Sequence, residues 1–166
     1  ATGADNITAI VCETAEGFVH RLWEPLSNKQ QPPNGYAGKF SIPFAVAVAL
    51  VRGEAGLSAF EDEAARDPVI VRVARKVRYV IDPEHPYPHR FTGHIRATLS
   101  DGRVLEERQP HLRGGATEPL PSSHILAKFE ANVRHGGWTS DRAKVVQEML
   151  AALFASSSVD LSACRG

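Results

Sequence analysis

The chain has 166 residues, with 19 basic and 19 acidic side chains and a formal net charge of zero. That balance argues against a nucleic-acid or membrane-surface binder, because such affinity comes largely from clustered positive charge. The longest apolar run, residues 42–51, is about half of what a membrane-spanning helix needs. Cys12 and Cys164 lie far apart, which argues against a disulfide framework or zinc site and favours a reduced, cytoplasmic setting.

The first part of the chain predicts a strand, a long connection and a helix. Residues 6–12 are apolar or β-branched at nearly every position, which indicates a largely buried strand. Residues 13–39 lack periodicity and are rich in Pro and Gly, so we expect an irregular connection, a feature that is more often functional than decorative. Ser41 begins a helix with Pro43 in its first turn, and Gly53 ends it. Because residues 44–51 are apolar on all sides, we expect this helix to be buried.

The middle of the chain predicts two short helices followed by three strands. Ser58 and Glu61 have the spacing of a capping box, and Asp67 precedes a proline in a helix-starting pattern. Residues 77–81 and 91–99 alternate as strands do. Asp101 and Gly102 predict a type I′ hairpin turn into a third strand at 103–109.

Two helices end the chain, at about 123–135 and 141–154, and the second carries a strong apolar stripe. The order strand, helices, three strands, two helices predicts an α+β fold with a small, mostly antiparallel sheet and helices on one side. We expect residues 1–166 to form a single α+β domain. Its final helix, within 139–155, would pack on a further domain, and residues 156–166 would be a frayed tail.

Several segments, in their order and spacing, resemble the C-terminal domain of the MmgE/PrpD family. The run from Tyr36 to Gly53, YAGKFSIPFAVAVALVRG, resembles the family signature. Other matching segments are Ile7-Thr-Ala-Ile-Val, Asp67-Pro-Val-Ile, Val77-Arg-Tyr-Val, Leu99-Ser-Asp-Gly-Arg, Gly114 with Glu118-Pro-Leu, and Leu126-Ala-Lys-Phe. The resemblance covers nearly the whole chain, from about residue 7 to residue 154.

The resemblance implies an enzyme with a large all-helical domain and this smaller domain, with the active site in the cleft between them. Members include 2-methylcitrate dehydratase, cis-aconitate decarboxylase and iminodisuccinate epimerase, which act on small polycarboxylates without a metal or redox cofactor and are usually homodimers. Most of the family's acid/base residues lie in the helical domain. We therefore expect this chain to be a lid domain, inactive alone, whose catalytic residues lie elsewhere. The helical domain would be upstream or in a separate chain.

Three residues are candidates for binding substrate carboxylates. Lys39 precedes the buried helix, where its charge would add to the positive end of the helix dipole. His20 lies close to where the decarboxylases that the chain resembles place an aromatic, substrate-facing residue. Arg113 begins an Arg-Gly-Gly segment that would either present a guanidinium and free N–H groups to an anion or form a plain turn. We interpret Lys29 and Tyr36 as structural or surface residues.

Two alternatives are weighed against this hypothesis. His85, His89 and His94 suggest a metal site, but the intervening prolines exclude a helical zinc motif, and we expect no metal. The second alternative is a non-catalytic α+β ligand-binding or dimerisation module. It predicts no large exposed apolar patch, whereas the enzyme hypothesis predicts that part of the 141–154 stripe is left exposed or is buried by self-association.

Overall fold

The computed structural model describes residues 3–155, 158 and 160–164. It divides into two compact units, Ala1–Pro119 and Leu120–Gly166. The first unit is a four-stranded mixed sheet with helices packed on one face, and the second consists of two helices with short 3-10 turns. The α+β fold class is as predicted.

The strands are β1 (Ile7–Thr14), β2 (Val77–Ile81), β3 (Gly93–Leu99) and β4 (Val104–Gln109). The helices of the first unit are α1 (Glu16–Phe18), α2 (Leu26–Gln30), α3 (Gly35–Gly38), α4 (Ile42–Arg52), α5 (Asp62–Arg66) and α6 (Pro68–Ala74). A π-helical turn, Val19–Trp23, and 3-10 turns, Gly3–Asn6 and Leu57–Phe60, complete this unit. The second unit contains α7 (Ser122–His135), α8 (Ser140–Ala152) and 3-10 turns at Leu153–Ala155 and Ser162–Cys164.

The predicted first strand is the centre of the sheet, whose order is β2-β1-β3-β4. β1 runs parallel to β2, with Ile10 opposite Val77, and antiparallel to β3, with Cys12 opposite Ile95. Burial alternates along β1, because Ile10 and Cys12 face the helices while Thr8 faces solvent. One face of the sheet is therefore packed and the other is open, which is common where antiparallel pairing predominates.

The predicted helix at 41–53 is confirmed as α4. The Ser41 hydroxyl accepts a hydrogen bond from the Phe44 N–H at 3.0 Å, which satisfies one of the donors at the helix start. Phe44 and Val48 are fully buried where α4 packs against α6 and β2. The prediction that this helix is buried on all sides was wrong, because Leu50 is 36% exposed on its outer face.

Two local predictions for the chain between β1 and β2 were wrong in detail. The predicted irregular connection at 13–39 begins with the last two residues of β1 and then consists of short helical turns, because Pro25, Pro32 and Pro33 keep each turn too short to show a helical period. The Ser58–Glu61 capping box does not form, since both helical starts there lack a side-chain cap. The Asp67 cap does form: its Oδ1 accepts from the Val69 N–H at 2.8 Å.

The β3–β4 hairpin is confirmed, but its turn is not type I′. Gly102 has a positive φ of 84°, whereas Asp101 does not, and type I′ requires positive φ at both central residues. The Leu99 N–H donates to the Arg103 carbonyl at 2.8 Å, so the loop contains three residues. Such a loop is a type I turn followed by a left-handed glycine, and only Gly102 needs the freedom that glycine gives.

The second unit exposes apolar side chains on both of its helices. Ile125 and Val145 are each 54% exposed, and Leu126 and Leu150 are also exposed. Val146 is buried within the unit. The tail predicted at 156–166 lies largely outside the described residues. No helix in the described part of the chain is both long and apolar enough to cross a membrane.

Close backbone packing fixes the segment between α2 and α4. A Cβ added at Gly35 would lie 2.1 Å from the Phe60 carbonyl oxygen, and one added at Gly38 would lie 2.8 Å from the Phe44 ring. The Gly35 N–H also donates to the Asp62 carboxylate at 2.9 Å. The short helix α3 is therefore held tightly against its neighbours. This packing fixes the backbone positions from which the side chains of Tyr36 and Lys39 extend.

We predict that Gly35→Ala destabilises the chain by about 1–3 kcal/mol, because the new methyl group meets backbone rather than a flexible side chain. Gly56→Ala is the matched control, since a Cβ there meets nothing within 4 Å and φ is −76°. The free energy of unfolding should be measured by urea denaturation followed by circular dichroism. Equal stability of the two variants would contradict the close contact.

Candidate functional site

Two of the predicted site residues lie on segments that Lys29 joins. The Lys29 ammonium donates to the Arg21 carbonyl at 2.6 Å and to the Phe40 carbonyl at 2.7 Å. His20 precedes the first of these residues, in the π-helical turn, and Lys39 precedes the second, at the end of α3. The structure therefore places the predicted His20 and Lys39 on adjoining segments, both exposed to solvent.

This junction lies at the N-terminal end of α4, the longest helix of the first unit. Ser41 caps the helix and donates its hydroxyl to the Lys29 carbonyl, so the α2 segment is tied to the helix start at two points. Helix N-termini attract anions because their N–H groups and dipole carry partial positive charge. Lys39 and Arg21 add full positive charges to the surface beside this end.

The cationic groups of Arg21 and Lys39 each lie over one ring of an aromatic pair. The rings of Tyr36 and Phe40 are 5.5 Å apart and meet edge to face. The Arg21 guanidinium lies 5.2 Å from the centroid of Phe40, and the Lys39 ammonium lies 5.8 Å from that of Tyr36. Both distances are within the range of cation–π attraction, which restricts where the two charges are held. We name this group, Arg21, Tyr36, Lys39 and Phe40, the cation–aromatic cluster.

Sequence reasoning missed Arg21 and treated Tyr36 as a structural or surface residue. Tyr36 is 70% exposed although its backbone is fixed by Gly35 and Gly38, so its ring and hydroxyl are presented to the surroundings. An exposed aromatic ring on a rigid segment is typical of a contact surface. Arg21 follows the predicted His20 directly, but the proline-broken connection gave no indication that it would lie beside Phe40.

An apolar hollow of about 320 Å³ lies beside the first turns of α4. Phe18 and Leu22 of the first turns, Ile42 and Val46 of α4, and Ile95 of β3 contribute its apolar walls. The members of the cation–aromatic cluster do not line this hollow, although Leu22, the residue after Arg21, does. Apolar walls with a few polar groups are typical of small-molecule sites.

The third predicted residue, Arg113, lies in a different turn. The Gly114 N–H donates to the Glu118 carbonyl at 2.7 Å, and the Gly115 N–H donates to the Leu112 carbonyl at 2.8 Å. Both backbone donors are therefore occupied, and the alternative of free N–H groups awaiting an anion was wrong. The segment is the plain turn, with Arg113 exposed on it.

A second polar cluster lies on the open face of the sheet, around His94. The histidine is only 9% exposed, with Nε2 hydrogen-bonded to Glu106 at 2.7 Å and Nδ1 2.6 Å from the Glu13 carboxylate. This second contact lacks hydrogen-bond alignment, so we treat it as an electrostatic contact. Arg108 approaches both carboxylates, at 3.3 and 3.5 Å. The group ties together β1, β3 and β4.

The pKa values of two groups show what their surroundings do. The hydrogen bond from His94 holds the pKa of Glu106 below its usual range, with Arg108 acting in the same direction. Burial raises the pKa of the Cys12 thiol to about 12. Cys12 therefore remains a protonated thiol at neutral pH, which excludes it as a nucleophile.

Comparisons with known proteins agree with the resemblance seen in the motifs. The family model for the MmgE/PrpD C-terminal domain matches residues 1–153. A mitochondrial 2-methylcitrate dehydratase of Yarrowia lipolytica (strain CLIB 122 / E 150) is 31% identical over 140 residues, which covers 79% of this chain and 26% of that protein. The chain thus spans about a quarter of the length of the curated relative that it matches.

We predict that Glu106→Gln changes stability in a pH-dependent way. Because the folded-state pKa of Glu106 is lowered, its stabilising effect is complete above the unfolded-state value of about 4.3 and is lost as the pH falls through the folded-state value. The stability difference between wild type and Glu106→Gln should therefore shrink on acidification from pH 6 to pH 3. Glu107→Gln, on the opposite face of β4, is the control, and a difference independent of pH would contradict the ion-pair assignment.

We predict that iodoacetamide at pH 8 modifies Cys164 and spares Cys12 in the native chain. Cys164 is exposed, whereas Cys12 is buried and lacks the thiolate form that reacts. Peptide mass spectrometry identifies the modified residue, and addition of urea should make Cys12 reactive. Equal labelling of both cysteines without denaturant would show that the first strand is not packed as described.

Proposed function

The chain belongs to the MmgE/PrpD family, as its C-terminal domain, and we propose that it is the lid domain of a cofactor-independent lyase or isomerase. The substrate would be a small di- or tricarboxylate, and the reaction would be 2-methylcitrate dehydratase-like or cis-aconitate decarboxylase-like. The observation that carries this proposal is the cation–aromatic cluster at the N-terminal end of α4. It supplies positive charge on a tightly packed surface segment.

Carboxylate binding is the chemistry that this cluster supports best. Lys39 offers an ammonium and Arg21 a guanidinium, and each forms charge-assisted hydrogen bonds with carboxylates. His20, on the turn next to Arg21, is a third carboxylate-binding candidate. Arg113 remains proposed as a further binding residue on its separate turn. A tricarboxylate held by several cations would be oriented for proton removal next to one carboxylate.

The principal acid/base residue is proposed to lie outside this chain, so the chain would be inactive alone. The shared length supports this proposal, because the chain corresponds to about a quarter of the relative. The missing part would be the all-helical domain, upstream or in a separate chain. Apolar side chains exposed on α7 and α8 also support a further contact there, since removing apolar surface from water is favourable.

The same exposed side chains weigh against the alternative, a self-sufficient ligand-binding or dimerisation module. The enzyme hypothesis predicted exposure within the 141–154 stripe, and Val145 and Leu150 of that stripe are exposed. Homodimer formation remains part of the proposal. A cytoplasmic location also remains a prediction, although the relative is named as a mitochondrial enzyme.

We predict that Lys39→Ala, in the complete polypeptide containing this domain, raises KM by about tenfold or more, the loss expected for a charge-assisted hydrogen bond, with a smaller effect on kcat. The assays are dehydration of 2-methylcitrate and decarboxylation of cis-aconitate. Arg52→Ala is the control, because Arg52 is an exposed cation at the opposite end of the same helix.

Unchanged KM in Lys39→Ala would remove this residue from the site. Absence of turnover by the complete wild-type protein on these substrates and on iminodisuccinate would instead favour the non-catalytic module.

A further inference from the structure

We propose that Lys29 is a positioning residue of the carboxylate site and that Arg21, which it positions, is a second carboxylate-binding cation beside Lys39. This inference rests on the proposed function, because it concerns the same cation–aromatic cluster. It assigns different tasks to Arg21, a member of the cluster, and to Lys29, which lies outside it. Arg21 would contact the substrate, whereas Lys29 would act only through the backbone that carries Arg21 and Phe40.

The local sequence leaves the Arg21 carbonyl without a helical donor. The residue four positions later is Pro25, which has no N–H. The next N–H, that of Leu26, donates to the side chain of Glu24 at 2.7 Å. The Lys29 ammonium supplies the hydrogen bond that the backbone does not, and it joins this exposed carbonyl to the part-buried Phe40 carbonyl.

The Phe40 carbonyl is in the same situation at the start of α4. The residue three positions later is Pro43, and the N–H of Phe44 is taken by the capping hydroxyl of Ser41. The Lys29 ammonium again supplies the donor. The Lys29 ammonium thus pairs with two carbonyls that lack backbone donors, because prolines and side-chain caps have removed those donors. This shared contact holds the turn that carries Arg21 against the segment that carries Lys39.

Lys29 is suited to this task and unsuited to contact with substrate. Its ammonium is turned towards two backbone oxygens, and burial lowers the pKa of Lys29 from its ordinary value. The Arg21 guanidinium, in contrast, lies over the Phe40 ring and is exposed. Releasing the Lys29 contacts would let the turn move and would separate Arg21 from Phe40.

The test uses citrate as the probe and two-dimensional ¹H–¹⁵N NMR of the 166-residue chain and its variants. Citrate should shift the amide signals of Arg21, Lys39 and Phe40 in the wild type. Arg21→Met and Lys29→Met should each weaken citrate binding by about tenfold, the loss expected for one charge-assisted interaction. Lys29→Met should also shift the Arg21 and Phe40 signals before citrate is added, and Lys29→Arg should restore binding.

A double variant separates positioning from direct contact. If Lys29 acts through Arg21, Arg21→Met with Lys29→Met should bind citrate no more weakly than the weaker-binding single variant. Lys76→Met is the matched control, because the Lys76 ammonium also caps a backbone carbonyl, that of Ile7 at 2.5 Å, away from this site. Lys76→Met should lose stability while retaining citrate affinity.

The outcomes distinguish this inference from the proposed function. Citrate binding that weakens in Lys39→Ala but is unchanged in Lys29→Met or Arg21→Met would overturn the inference and leave the proposed function standing. Additive losses in the double variant would show that Lys29 acts independently of Arg21 and would also overturn it. Absence of citrate-induced shifts around Lys39 in the wild type would overturn the carboxylate site itself.

Discussion

The burial of α4 is the constraint on which the rest of the first unit depends. Phe44, Ala47 and Val48 are fully buried against α6 and the helix-covered side of the sheet, so the helix cannot shift without opening the core. Fixing the helix also fixes its N-terminal end, where Ser41 and the cation–aromatic cluster lie. A site built on a packed helix holds its charges more precisely than one built on a free loop.

In the connection before α4, the residues that complete the backbone hydrogen bonds also hold the proposed site in place. Prolines interrupt the helical turns and remove N–H donors, which leaves carbonyls that side chains must pair with. Lys29 satisfies two of them, and Gly35 allows α3 to pack against backbone. The segment that presents Tyr36 and Lys39 is consequently rigid although it contains little regular structure.

The two charged clusters differ in how their charges are paired. The cluster around His94 pairs nearly all of its charges internally, which suits it to holding three strands together on the open face of the sheet. The cation–aromatic cluster instead leaves Arg21 and Lys39 over aromatic rings at the surface, where we propose that a carboxylate ligand binds. The exposed apolar residues of α7 and α8 belong to neither charged cluster.

The sequence by itself determined the features that depend on neighbouring residues. The Ser41 cap, the Asp67 cap, the β3–β4 hairpin and the family motifs could all be predicted, because their interactions span a few residues. Only the tertiary structure decided that Glu13 meets His94 and Arg108, and that Lys29 joins Arg21 to Phe40. Those contacts join residues that lie far apart in the sequence or in a segment without helical or strand periodicity. Sequence periodicity carries no information about the distances between such residues in the fold. For that reason the sequence could place Lys39 before a helix and suggest it as a candidate, whereas the contacts of Lys29 with the Arg21 and Phe40 carbonyls could not be predicted.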